Sequence, residues 1–138
     1  MARPVLLDTC AAIWLLDGAP ISAASREAIR SAQLSYAGVY VSPITAWEIA
    51  MLVGKRRIRL SYSPGVWFET LLEFPGMRLA LLSPEVLMSS CVLPGTPPRD
   101  PADRMIAATA RAFGYTVITR DGELVPYAAA GHVSVVGC

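Results

Sequence analysis

Along the chain, short apolar runs alternate with longer stretches whose apolar positions recur at helical spacing. "PVLLD" (4–8) predicts a buried strand, and "TCAAIWLL" (9–16) the helix that follows it. "SAASREAIRSAQ" (22–33) predicts a helix with a serine start and Arg and Glu on its exposed side, and "GVYVS" (38–42) a second strand. "ITAWEIAMLVGKRRI" (44–58) predicts a helix with Ile49, Leu52 and Val53 on one face and Glu48 near its beginning. "SPGVWFETLLEF" (63–74) predicts another helix, "LALLS" (79–83) a third strand and "PEVLMSSCV" (84–92) a short helix. "PADRMIAATARAFG" (101–114) predicts a helix closed by Gly114, since glycine accepts the left-handed conformation of a C-terminal cap. "TVITRD" (116–121) is the fourth expected strand, "GELVPYAAAG" (122–131) a short helix interrupted by Pro126, and "VSVVG" (133–137) the fifth strand. Strands alternating with helices argue for βαβ units, hence an α/β fold with one layer of parallel strands between helices. No repeat or linker interrupts the pattern, "LPGTPPRDP" (93–101) reads as one rigid loop, and 1–138 is a single domain's worth of chain.

Composition narrows the function. Hydrophobic residues make up 54% of the chain and charged ones 17%. No run approaches the ~18 apolar residues of a membrane span, and Asp8 comes too early for a signal-peptide core. So apolar a chain without a membrane segment suggests surface covered by a partner. The net charge of +1 carries no nucleic-acid signature. Eleven of the 12 basic residues are Arg, which suits bidentate phosphate contacts and equally follows from a biased genome. Three cysteines, Cys10, Cys91 and Cys138, without CxxC spacing, read as a reduced, cytoplasmic protein with no disulfide framework. His132 is the only histidine, which removes His-rich zinc sites and argues against a Ser-His-Asp triad.

The eleven acids are unevenly placed. Asp8 closes the first strand and Asp121 the fourth, Glu48 opens the helix after the second, and Asp100 and Asp103 open the helix before the fourth. Open parallel sheets bind ligands outside the carboxyl ends of their strands, where strand order reverses. If strands one and four are neighbours there, Asp8, Glu48, Asp103 and Asp121 converge on one concavity. Each also has a local explanation. Asp8 and Asp100 are good N-caps, Glu48 and Asp103 suit the positive end of a helix dipole, and Asp121 precedes a turn-forming glycine. Local roles leave unexplained why so much of a small acid inventory sits at one edge. Crowded carboxylates repel unless a cation neutralises them, and hard divalent cations prefer oxygen ligands. The cluster is therefore a candidate metal site.

"LLDT", "SPITAWEI", "RDPADRMIAATA" and "VITRDGEL" together resemble the PIN-domain family, more narrowly the VapC toxins of bacterial type II toxin–antitoxin pairs, over essentially the whole chain. The resemblance implies a three-layer α/β/α PIN-like fold whose five-stranded parallel sheet runs in order 3-2-1-4-5, with strands one and four adjacent. It implies an endoribonuclease dependent on Mg²⁺ or Mn²⁺, a toxin that cuts cellular RNA with metal-activated water and so inhibits translation and growth. The catalytic, metal-binding acids carry over to Asp8, Glu48, Asp103 and Asp121. Thr119 matches a supporting hydroxyl, and Asp100 an additional acid of a subgroup, here either supporting or capping. Implied partners are RNA, a VapB-like antitoxin that covers apolar grooves and inserts a basic side chain into the acidic pocket, and a second copy of the chain in a homodimer; no membrane is implied. Relatives with "RDP" often carry a histidine just before it and a bulky apolar residue at the next alanine; Pro98 and Ala102 stand here instead.

The remaining candidates come from the residues themselves. Arg104 and Arg120 adjoin acids, either holding them by salt bridges or contacting phosphate. Lys55, Arg56 and Arg57, in "GKRRIR" (54–59), are either RNA contacts or a solvated helix end. Trp47, beside Glu48, either stacks on a base or packs in the core, the latter being favoured, as for Trp14 and Trp67; Cys10 is expected to be a buried helix residue. A haloacid-dehalogenase-type phosphatase would need a second Asp where Cys10 stands, and a receiver domain a lysine near its last strand, whereas Lys55 is the only lysine. A metal-dependent RNA-binding module that represses without cleavage is the alternative to a nuclease.

Overall fold

The computed structural model describes residues 2–120 and 122–138. Its centre is β1 (Val5–Leu7), flanked by β2 (Val39–Val41) and β4 (Thr116–Thr119), with β3 (Met77–Leu79) and β5 (Ser134–Gly137) at the edges. All the pairings are parallel, and the order β3-β2-β1-β4-β5 is the one the resemblance implied. The helices are α1 (Thr9–Asp17), α2 (Ala23–Leu34), α3 (Pro43–Gly54), α4 (Pro64–Leu72), α5 (Pro84–Ser89), α6 (Pro101–Phe113) and α7 (Leu124–Ala129).

Both faces of the sheet are covered, so its central strands are apolar without alternation. β1 and β4 are buried at every position. Side-chain parity still splits the interior into two cores. Val5, Leu7 and Ile118 pack with Ile29 of α2, Ile49 of α3 and Trp67 and Leu71 of α4. Leu6 and Val117 face the other way, onto Ile106, Ala107 and Ala110 of α6 and Leu124 and Tyr127 of α7.

Most helix starts repeat one device. Ser42, Ser63 and Ser83 hold extended backbone and accept from the main-chain N–H two or three residues on, each followed by proline at the first helical position. Asp100 and Pro101 do the same for α6, and Gly114 closes that helix at φ 74°. We expect Asp100→Ala to lower stability by about 1 kcal/mol in urea denaturation and Asp100→Asn to stay near the parent, because asparagine caps equally well. Equal loss in both variants would mean that the carboxylate's charge, not its cap, supports α6.

Several boundaries differ from the sequence reading; the short helix expected over 84–92, for one, ends at Ser89. The third strand begins two residues earlier, at Met77, and pairs through Leu79. Leu79, in this edge strand, and Leu81, just beyond it, are 52% and 64% exposed. The helix expected over 44–58 stops at Gly54, because Arg56 turns to a positive φ of 57°. Pro126 does not interrupt α7; it is the third residue of the helix, within the first turn, where no intrahelical N–H bond is lost. Among the described residues, no helix is long and apolar enough to cross a membrane.

Candidate active site

The register of the two central strands builds the site. Leu7 of β1 pairs with Ile118 of β4, so the next residues, Asp8 and Thr119, stand opposite each other at the carboxyl end of the sheet. Thr119 donates its hydroxyl to Oδ2 of Asp8. Asp8 also caps α1, its Oδ1 accepting from the N–H of Ala11 at 2.7 Å. Capping and site-building are thus the work of one buried carboxylate, 4% exposed, whose two oxygens are oriented by two different donors.

Thr9, the next residue, carries the arrangement to α3. Its hydroxyl donates to Oε1 of Glu48 and lies 3.1 Å from the hydroxyl of Thr45, one turn before Glu48 on the same helix face. Thr9 and Thr45 are buried and Glu48 is half-buried. Neither threonine was singled out from sequence. The signal was present: both lie inside the quoted motifs, one directly after an acid and the other three residues before one.

Asp103 sits half-buried in the first turn of α6, where its N–H donates to Oδ2 of Asp100 at 3.0 Å. This makes Asp100 a cap. The structure thus pairs Asp8 with the Thr119 hydroxyl and Glu48 with the hydroxyl of Thr9, the residue after Asp8, while Asp100 and Asp103 form a pair at the head of α6, a helix that packs against α3. Asp121 lies outside the described residues. Among the described residues, no three His, Cys, Asp or Glu side chains gather closely enough to hold a metal ion.

The cations divide by what they hold. Arg104 does not pair with the acids; it donates to the carbonyls of Ser90 (2.8 Å) and Pro98 (3.2 Å), tying the head of α6 to α5 and the proline-rich loop. Arg99 bridges to Glu123 at 3.2 Å, at the start of α7. Lys55, Arg56 and Arg57 are exposed just beyond α3. Arg120 lies over the ring of Trp14, 3.9 Å from its centroid, and its Nε donates to the main-chain oxygen of Cys138 at 2.9 Å. Burial pushes the Cys138 thiol pKa up, Asp8's negative charge adds to this, and Arg120 opposes it.

Two expectations about side chains are overturned. Trp47 is not in the core but 58% exposed beside Glu48, since the helix turns that position outward. Cys10 is exposed, because α1 buries Thr9, Ala11 and Ala12 around it. Trp67 is a core residue, 1% exposed, and Trp14 is half-buried under Arg120.

Comparison with known proteins adds the context. The family model for the PIN domain matches residues 5–129. Ribonuclease VapC22 of Mycobacterium tuberculosis is 34% identical over 121 residues, 87% of this chain and 88% of that protein. Among solved structures, VapBC2 from Rickettsia felis bound to a DNA fragment from their promoter superimposes with a TM-score of 0.65 at 12% identity, over 98% of each chain. FitAcB from Neisseria gonorrhoeae does so with a TM-score of 0.53 at 25% identity, over 95% of each chain.

Proposed function

The chain belongs to the PIN-domain family, and from that premise we propose that it is a VapC-type endoribonuclease, the toxin of a type II toxin–antitoxin pair, dependent on Mg²⁺ or Mn²⁺. The observation that carries this is the carboxyl end of β1 and β4, where buried Asp8 has both oxygens fixed by donors and is joined through Thr9 to Glu48. Asp8, Glu48, Asp103 and Asp121 would hold the cation; all four offer carboxylate oxygens, the donors a hard divalent ion takes. Bound there, the metal supplies Lewis acidity and a water acidic enough to act as hydroxide near neutral pH.

The chain's own residues do the rest. Thr119 and the Ala11 N–H set the direction of Asp8, while Thr9 sets that of Glu48. One of the acids takes the proton released by the attacking water. Lys55, Arg56 and Arg57 offer exposed charge to RNA phosphates, and Trp47 offers an exposed ring for a base to stack on. Exposed Leu79 and Leu81 at the β3 edge, with Leu87, Met88 and Val92 around α5, supply apolar surface for a VapB-like antitoxin and a homodimer partner. Cutting cellular RNA in the cytoplasm would then arrest translation and growth.

The test is 5′-end mapping of cellular RNA incubated with the purified chain in Mg²⁺, in EDTA, and in EDTA followed by excess Mn²⁺. We expect discrete ends in Mg²⁺, none in EDTA and their return with Mn²⁺. Ends forming equally in EDTA would overturn the metal-dependent mechanism. RNA retained without new ends would favour a repressing RNA-binding module over a nuclease.

A further inference from the structure

We propose that Arg120 is a substrate-positioning residue, a pre-fixed guanidinium that takes a phosphate of the RNA strand beside the Asp8 carboxylate; this rests on the nuclease reading above. Thr119 and Arg120 are consecutive, and they face opposite ways at the end of β4: the threonine inward to Asp8, the arginine outward to solvent. Two contacts hold the guanidinium in place, the face of Trp14 at 3.9 Å and the main-chain oxygen of Cys138 at 2.9 Å. Both involve elements that frame the acid. Trp14 belongs to α1, the helix Asp8 caps, and the Cys138 N–H donates to the Thr119 carbonyl at 3.0 Å.

What Arg120 leaves uncommitted distinguishes it. Arg104 spends its fork on two carbonyls, and Arg99 is paired with Glu123. Among the described residues no Asp or Glu side chain forms an ion pair with Arg120; its Nε donates to the Cys138 main-chain oxygen, and its guanidinium also meets the Cys138 thiol. The side chain is exposed, so its planar fork is accessible to an external anion and can match two phosphate oxygens. Stacking on Trp14 has already ordered the side chain, so binding a phosphate there costs little further side-chain entropy. An RNA strand brought to a carboxylate cluster is repelled by it, and a fixed cation at the rim offsets that repulsion.

The experiment measures binding in EDTA and cleavage in Mg²⁺ of a fluorescein-labelled, random-sequence single-stranded RNA 20-mer, across a potassium chloride series. Arg120→Gln is expected to weaken binding and raise KM about tenfold with kcat within about twofold, as for one lost charged hydrogen-bonding contact. The slope of log Kd against log salt should fall by about 0.7, the value for one phosphate contact on a single strand. Arg120→Lys should keep the slope and recover part of the affinity, since it retains the charge without the fork. Unchanged Kd, KM and slope in Arg120→Gln, or a fall in kcat alone, would overturn the proposal. Wild-type chain that binds the RNA without cutting it, with the Arg120→Gln slope reduced, would sink the nuclease reading and leave the phosphate contact standing. Cleavage with identical KM and slope in both proteins would do the reverse.

Discussion

Asp8→Asn is expected to reduce RNA cleavage about a thousandfold or more while the chain stays folded. The two halves of that expectation come from different atoms. Asparagine caps a helix as well as aspartate does, so its Oδ1 keeps the bond from the Ala11 N–H. Where Oδ2 accepted from Thr119, the amide now donates, and the threonine hydroxyl rotates to accept. Fold and local geometry are preserved, and only the negative charge is lost. A thousandfold corresponds to about 4 kcal/mol of transition-state stabilisation, in keeping with loss of a metal-binding carboxylate. Single-turnover cleavage of an RNA identified by end mapping gives the rate, and urea denaturation should place stability within about 1 kcal/mol of the parent. Asp103→Asn should behave likewise, with Asp100 still capping α6. Cleavage within tenfold of wild type by both folded variants would remove these acids from the mechanism.

The largest effect on stability should come from Trp67→Ala, about 3–5 kcal/mol in urea denaturation. Trp67 is the largest fully buried side chain and packs into the core that holds β1, β2 and α3. A chain of this kind has about 5–15 kcal/mol of stability in total, so the variant should be substantially unfolded in mild denaturant. Its buried Nε1 has no hydrogen-bond partner among the described residues. Trp67→Phe therefore loses volume but no polar interaction, and should cost less than half as much as the alanine variant. Equal losses in the two would mean that the indole N–H has a partner in solution.

The sequence made the sheet legible because its strands are short, apolar and separated by strong helix starts. Three of those starts, read at 44, 63 and 84, fall within one residue of Pro43, Pro64 and Pro84, each of which follows a capping serine. Legibility failed where local pattern and three-dimensional surroundings part company. The exposed edge at Leu79 and Leu81 looks like core when only hydropathy is read. Nothing in "VGKRRI" announces the positive φ at Arg56 that ends α3. Trp47 and Cys10 were assigned to the interior by residue type, whereas helix rotation turns both outward. For the site, strand-end position singled out Asp8 and Glu48 and the family resemblance Thr119, and the strand register makes Asp8 and Thr119 neighbours. Thr9 and Thr45 stayed hidden because a buried hydroxyl that steadies an acid has no compositional signature; only the contact reveals it.

The bond from Thr119 to Asp8 spans 111 residues of sequence. Asp8 leaves the ribosome well before the strand that steadies it, which follows α6. Until that strand is made, the nascent polypeptide holds Asp8 without its hydroxyl partner and β1 without its neighbour on that side. On the function proposed here, a protein that destroys RNA is thereby kept from completing its site until the 111 residues from Asp8 to Thr119 have been made.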